Sequence, residues 1–139
     1  MKKTLFLTLF FVFLLSQATL AMEAKNIEIF DPSTEQVAKS IPLSDEVQTM
    51  VLDWFSTVDE IDPRANIFQD NGYVIKFPLS SSEKIKNKFI EVDTDEVYLL
   101  IPESEDPFFM ILTEKNQPMC FTFSGDIDKL SQILDFQLQ

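Results

Sequence analysis

Apolar residues recur at spacings of three and four positions in one segment near the middle of the chain: Val47, Met50, Val51, Trp54, Phe55 and Val58. This spacing is typical of an amphipathic helix with one buried face. Ser44 stands where an N-cap is needed, and Asp45 and Glu46 place negative charge at the positive end of the helix dipole. The pattern predicts a helix that begins after Ser44 and ends near Asp59, before the Asp62-Pro63 pair.

From Asn71-Gly72 onward the period shortens to two residues, which is typical of β-strands. Five strands are predicted, over residues 73–77, 89–92, 97–101, 108–112 and 119–123. The links between them are Asp93-Thr94-Asp95, residues 102–107 and residues 114–118, and each is too short for a crossover helix. The sequence therefore predicts an antiparallel meander sheet of about five strands.

Shorter elements flank this region on both sides. Residues 27–29 and 37–41 alternate between apolar and polar around turn residues 31–34, which predicts an N-terminal β-hairpin, with a short helix over 34–40 as the alternative. Near the other end, Asp126 can cap a closing helix in which Ile127, Leu130, Ile133 and Leu134 share a face. Together the elements predict an α+β fold with an amphipathic helix before the sheet and a short helix after it.

The centre of the predicted sheet is apolar on both faces. Residues 108–112 contain no polar side chain, and residues 97–101 contain only Tyr98. The two helices can cover one face, so the other face needs the N-terminal hairpin, a loop or a partner molecule. We expect the chain to cover its own sheet, because large exposed apolar patches are rare on monomers and otherwise mark recognition surfaces.

The amino terminus has the layout of a secretory signal peptide. Two lysines precede a predominantly apolar run over residues 5–15, and small residues stand at −3 and −1 of a cut between Ala21 and Met22. Cleavage of residues 1–21 would leave residues 22–139 as a single small acidic domain, secreted and without stable membrane insertion. The alternative is an uncleaved N-terminal anchor facing outside, although polar residues interrupt the run before it reaches bilayer-spanning length.

Charge limits the possible partners. The chain has 11 basic and 23 acidic side chains, and removal of the signal peptide leaves 9 basic residues and a net charge of −14. Such a surface disfavours binding to nucleic acid, whose phosphates need a basic partner, and adsorption to anionic lipid. It favours solubility and attracts cations or cationic partners.

The residue types needed for several kinds of catalysis are missing. The chain contains no histidine and a single cysteine, Cys120, which excludes Ser-His-Asp and Cys-His machinery, histidine zinc sites and internal disulfides. Its two glycines are too few for a phosphate-binding loop. Cys120 lies in an apolar strand pattern with no adjacent basic residue to activate its thiol, so we expect a structural cysteine. No catalytic residue and no cofactor is predicted.

Acidic residues gather at two predicted turns. The calcium candidates are Asp93, Asp95 and Glu96 at the first turn and Glu103, Glu105 and Asp106 at the second, because calcium takes oxygen ligands. Neither cluster has the spacing or central glycine of an EF-hand loop, and solvated charge is the simpler interpretation. Abundant carboxylates also leave open a small enzyme acting on an extracellular polymer, which would hold two acids on either side of a sugar.

Three short segments carry a resemblance. Residues 27–32, 73–79 and 120–123 read Ile-Glu-Ile-Phe-Asp-Pro, Tyr-Val-Ile-Lys-Phe-Pro-Leu and Cys-Phe-Thr-Phe. In these segments the chain resembles small exported proteins of unknown function from Bacillus-type, Gram-positive bacteria, which implies a compartment and a fold but no activity. Because the residue types of common catalytic sites are missing, we expect a non-enzymatic binding module outside the cytoplasm, with a protein, a peptide or a cell-wall component as its partner. A carboxylate-dependent enzyme and a calcium-binding envelope protein are the alternatives.

Overall fold

The computed structural model describes residues 25–63 and 71–139. Seven strands and two helices occur in these residues. In chain order they are β1 (Asn26–Asp31), β2 (Gln36–Pro42), α1 (Asp45–Ser56), β3 (Glu60–Asp62), β4 (Tyr73–Lys86), β5 (Glu91–Ile101), β6 (Phe108–Leu112), β7 (Pro118–Thr122) and α2 (Ile127–Leu134). The predicted signal peptide lies outside the described residues.

The strands form one antiparallel sheet in the order β2-β1-β4-β5-β6-β7-β3. The predicted α+β class and N-terminal hairpin are confirmed, but the predicted count of about five strands is wrong. The hairpin joins the sheet because β1 pairs with β4, where Ile29 stands opposite Ile75, and the short strand β3 pairs with β7. The amphipathic helix consequently follows two strands of the sheet instead of preceding them all, which corrects its predicted placement.

The hairpin of β4 and β5 also differs from the predicted strands. β5 is continuous from Glu91 to Ile101, so the turn predicted at Asp93-Thr94-Asp95 is wrong. The turn lies at Asn87 instead, whose Oδ1 atom accepts hydrogen bonds from the backbone N–H groups of Phe89 (2.8 Å) and Ile90 (3.1 Å). Asp93 and Thr94 stand opposite Lys84 and Glu83 of β4, and the irregularity in the ladder follows directly after Thr94. The pairing outweighs the preference of these two residues for turns.

Both predicted helices are confirmed with their caps. Ser44 Oγ accepts a hydrogen bond from Val47 N–H (3.3 Å) at the start of α1, and Asp126 Oδ1 accepts one from Lys129 N–H (3.0 Å) at the start of α2. These bonds satisfy backbone donors that have no partner inside the helix. The cap residue and the apolar spacing are both local signals, which is why the sequence locates these helices correctly.

The C-terminal end of α2 is capped by a side chain from β2, a strand that is distant in the sequence. The Lys39 Nζ atom of β2 donates hydrogen bonds to the backbone C=O groups of Leu134 and Asp135, both at 2.9 Å. The last carbonyls of a helix need donors from outside it, and a positive charge also suits the negative end of the helix dipole. β2 is therefore attached to the rest of the molecule through a side chain as well as through its pairing with β1.

The main core lies between the two helices and one face of the sheet. Alternate strand residues supply it: Ile27, Ile29, Ile75, Phe77, Val97, Leu99, Phe109, Ile111 and Phe121. The Phe55 ring of α1 meets the rings of Phe109 and Phe121 edge-on, with centroids 6.1 and 5.6 Å apart. Each large side chain buried in this way stabilises the fold by roughly 1.5–3 kcal/mol. This packing is the principal stabilising feature of a chain that has no disulfide.

A second, smaller cluster lies on the opposite face of the sheet. Leu100, Phe108 and Cys120 are buried there and pack with Val74, Tyr98 and Met110. The centre of the sheet is thus buried on both faces, as the sequence predicts. The N-terminal hairpin lies within the sheet and does not cover this second face.

Candidate functional site

β2 is an edge strand, and no other described strand pairs with its outer side. All its residues are solvent-exposed except Lys39 and Ile41, which are half-buried. The opposite edge is formed by β3, which has only three residues. An open edge presents backbone N–H and C=O groups that can pair with another chain. β2 is therefore the longer of the two strands that lie at the ends of the sheet.

The register shows which backbone groups of β2 face outward. Leu43 N–H donates to the Lys25 C=O (3.0 Å) just beyond the ladder. Hydrogen-bonded and non-hydrogen-bonded pairs alternate along an antiparallel ladder, so the pairs Ile27–Ile41 and Ile29–Lys39 are hydrogen-bonded and the pair Glu28–Ser40 is not. The N–H and C=O groups of Ser40 consequently point away from β1 and towards the open edge.

Two features limit how much of this edge can pair. A β-bulge between the pairs Ile29–Lys39 and Phe30–Val37 leaves Ala38 as an extra residue on β2. Pro42 occupies the next outward-facing position after Ser40, where its missing N–H costs no bond to β1. Bulges and prolines of this kind prevent uncontrolled edge-to-edge association. The edge is thus suited to a short segment of partner strand and unsuited to indefinite stacking.

Two rows of side chains run across the second face of the sheet and end at β2. The apolar row consists of directly paired residues, namely Val37, Phe30, Val74, Leu100 and Phe108. Val37 is 49% exposed and Phe30 is 36% exposed, whereas Phe108 is buried. The apolar row therefore passes from the interior of the sheet to solvent at the open edge, where an added strand would cover Val37.

The polar row lies beside the apolar row and consists of Ser40, Glu28, Lys76 and Tyr98. Lys76 Nζ lies 3.5 Å from Glu96 Oε2, and the Tyr98 hydroxyl donates a hydrogen bond of 2.5 Å to Glu96 Oε1. Burial, this hydrogen bond and the charges of Glu96 and Asp95 together raise the pKa of the Tyr98 phenol far above its usual value. Glu28 stands between Ser40 of β2 and Lys76 of β4 in this row, and among the described residues no cation lies within ion-pair distance of its carboxylate.

The structure does not bring the six calcium candidates together. Asp93, Asp95 and Glu96 lie along β5, and the Glu96 carboxylate is engaged by Lys76 and Tyr98. Glu103, Glu105 and Asp106 lie in the exposed loop between β5 and β6. In residues 25–63 and 71–139, no group of three or more acidic or cysteine side chains is placed to hold a metal ion.

The carboxylate-dependent hydrolase that the sequence leaves open would need acids that line a groove. A groove of about 770 Å³ lies between α1 and the start of α2, and its carboxylates, including Asp53 and Asp126, are exposed. Within the part of the chain that the structure describes, the one buried polar side chain is the amide Asn87. A carboxylate-dependent hydrolase would hold two acids on either side of a sugar, and it stays a prediction.

Cys120 is buried at 5% exposure, in the cluster with Leu100 and Phe108. Its position agrees with the predicted alternation, because Met119 and Phe121 of the same strand pack into the main core. A thiol in this position behaves as a small apolar side chain. The prediction of a structural cysteine is thus supported by its burial.

The residues that form this open edge were not singled out by the sequence. Val37, Ser40 and Glu28 appear there only as members of a predicted hairpin. A strand that contains Lys39 and ends at Pro42 carries the composition of an edge strand, since charged residues and proline are concentrated at edges. That signal indicates an edge but does not identify which neighbouring strand pairs with its other side.

Comparison with known proteins gives no relative for this chain: no protein-family model, no curated protein and no solved structure matches it. Among the described residues, no helix has the length and apolar content needed to cross a membrane. The resemblance to exported proteins of Bacillus-type bacteria stays a prediction.

Proposed function

We propose that this protein is a non-enzymatic binding module that acts outside the cytoplasm and binds an extended segment of another protein by strand addition at β2. The observation that carries the proposal is the open edge itself, with the outward N–H and C=O groups of Ser40 beside the exposed side chains of Val37 and Phe30. In strand addition, backbone hydrogen bonds supply affinity and alternate side chains supply specificity. β2 offers both within a short segment.

The backbone part of this proposal is tested with Ser40→Pro. The Ser40 N–H faces away from β1, so proline removes a donor of the open edge without removing a bond of the sheet, as Pro42 already does two positions further on. Ser40→Ala is the matched control, because it removes the hydroxyl and retains the N–H. Circular dichroism and thermal unfolding establish that both variants are folded.

The probe is a display library of short random peptides, selected on protein produced from the full chain. We expect to recover peptides that bind the wild type and Ser40→Ala equally and bind Ser40→Pro roughly tenfold more weakly, the loss expected for one backbone hydrogen bond. Amide exchange at Ser40, slowed by the bound peptide, is an independent measure. Failure to recover peptides, or equal binding to all three proteins, would contradict strand addition.

The compartment is tested separately by the intact mass of the protein recovered from a secreting Gram-positive host. The predicted signal peptide leads us to expect a species in the medium that begins at Met22 and carries an unmodified Cys120. Full-length protein in the membrane fraction would favour the N-terminal anchor, and a disulfide-linked dimer would show that the Cys120 thiol is accessible.

A further inference from the structure

From the two rows that end at β2 we infer the kind of segment that binds: an extended strand, antiparallel to β2, with a basic residue two positions before an apolar residue. This inference rests on the proposed function and deepens it by naming the chemistry of the partner. It uses the register of the existing strands, because an added strand continues the same pleat and the same rows of side chains.

The spacing follows from the way β1 pairs with β2. On β1, Glu28 stands opposite Ser40, and Phe30, two residues later, stands opposite Val37. Ser40 comes three residues after Val37 in the sequence, but Ala38 between them is an extra bulge residue with no partner on β1. Val37 and Ser40 are therefore as far apart in space as two residues at i and i+2 of a regular strand. A regular partner strand on the outer side of β2 would face them with two residues that are two positions apart. All six strand pairings of the described sheet are antiparallel, and antiparallel pairing is also slightly more stable per residue.

The apolar residue of the partner segment is the one that would stand opposite Val37. This side chain is 49% exposed although it belongs to the apolar row, which is buried further into the sheet. A partner side chain opposite Val37 would lie on the same face and remove apolar surface of Val37 and Phe30 from water. A valine, isoleucine, leucine or phenylalanine meets this requirement.

The basic residue of the partner segment is the one that would stand opposite Ser40 and reach Glu28. A partner residue opposite Ser40 lies one strand further out than Glu28, about 10 Å from it between Cα atoms given the spacing of adjacent strands. A lysine or arginine side chain can reach over the small Ser40 side chain to the Glu28 carboxylate. An ion pair between this basic side chain and the Glu28 carboxylate would form at a partly exposed site. Such a pair contributes to specificity, and its contribution to the affinity decreases as salt increases.

Acidic residues predominate around the edge, and two nearby lysines are already engaged: Lys25 Nζ donates to the Leu79 C=O and Lys76 is paired with Glu96. Asp31 and Glu35 stand at one end of β2, and Asp45 and Glu46 stand just beyond the other end. The basic residue of the strand, Lys39, is engaged by the carbonyls at the end of α2. This charge distribution attracts a basic segment and opposes a second copy of the same acidic chain. We therefore assign the edge to a basic partner and not to self-association.

Two synthetic peptides of identical composition test the inference. One contains Lys-Thr-Val between flanking threonines, and the other contains Val-Thr-Lys in the same flanks. Each is titrated into the protein and followed by the NMR signal of the Ser40 amide. We expect the Lys-Thr-Val peptide to bind roughly threefold to tenfold more tightly, and Glu28→Gln to remove most of that difference. Glu114→Gln is the matched control, because it removes the same charge from an exposed turn far along the chain from β2.

The outcomes separate this inference from the proposed function. Equal binding of both peptides, with the affinity lowered by Ser40→Pro, would overturn the basic-and-apolar pattern and leave strand addition in place. The same conclusion would follow if the library peptides lose affinity for Ser40→Pro but share a sequence pattern other than a basic residue two positions before an apolar one. If no peptide binds and sedimentation shows a dimer that Ser40→Pro dissociates, the edge belongs to a second copy and both proposals are overturned.

Discussion

The pKa of Tyr98 is determined by the side chains around it. Its ring packs with the second apolar cluster, while its hydroxyl is held by the Glu96 carboxylate at 2.5 Å. Burial disfavours the phenolate, and a negative partner disfavours it further. The pair is a signal that the sequence contains, because residues two apart on a strand share a face. It becomes recognisable only when β5 is known to be continuous.

The raised pKa of Tyr98 predicts a specific loss of stability in alkali. Unfolded Tyr98 releases its proton near pH 10, whereas in the folded protein the pKa is raised and the proton is retained. The unfolded state then binds fewer protons, so the free energy of unfolding must fall as the pH rises through and above about 10. We expect the stability difference between the wild type and Tyr98→Phe to shrink over this range.

Urea unfolding of both proteins from about pH 8 to 11 measures this difference, and the other titrating groups cancel because they are common to both chains. Below the unfolded pKa the difference should be constant, since Tyr98 is protonated in both states. A difference that also stays constant above about pH 10 would show that the folded phenol ionises normally.

At the scale of elements, Lys39 connects the edge strand with the end of α2. We predict that Lys39→Met, which keeps most of the apolar stem, destabilises the protein by about 1–3 kcal/mol, because two C-terminal carbonyls lose a charged donor. Chemical denaturation measures the change. Lys86→Met is the control, since Lys86 is exposed on β4 and a surface substitution should stay within about 0.5 kcal/mol.

The location of the loss can be checked by amide exchange. The last turn of α2 should exchange faster in Lys39→Met than in the wild type, while α1 should be unaffected. Equal effects of Lys39→Met and Lys86→Met would indicate that the hydrogen bonds to Leu134 and Asp135 contribute nothing measurable.

Elements with local signals could be predicted from the sequence. The helices have caps and apolar spacing, and β6 is a continuous apolar run with predicted bounds of 108–112 that match the structure. Non-local features could not be predicted, because periodicity carries no information on which strands meet. The pairing of β1 with β4 and the three-residue β3 belong to this group. The same limit hides the candidate site, since the two rows at β2 exist only after five strands are placed in register.

At the scale of the whole molecule, charge sets the response to salt. The chain has a formal net charge of −12, or −14 without the signal peptide, so acids greatly outnumber the cations that could pair with them. Repulsion among the remaining acids disfavours the compact state, and salt screens it. We therefore expect the free energy of unfolding in urea at pH 7 to increase when sodium chloride rises from about 0.05 to 0.5 M.

A variant with fewer exposed acids provides the control for this salt effect. Glu103→Gln combined with Glu114→Gln neutralises two acids in separate exposed turns, so its stability should depend less on salt than that of the wild type. A stability that falls with salt in the wild type would mean that attractive pairs dominate the surface instead.

The contact of Lys39 with the end of α2 joins positions 95 and 96 residues apart, and Leu130 and Leu134 share the main core with Ile27 and Ile29 of the first strand. A polypeptide is made from its amino end, so β2 is synthesised well before the helix end to which Lys39 donates its hydrogen bonds. The contact between β2 and α2 is therefore a long-range one, and it forms only after the strands between them have been made.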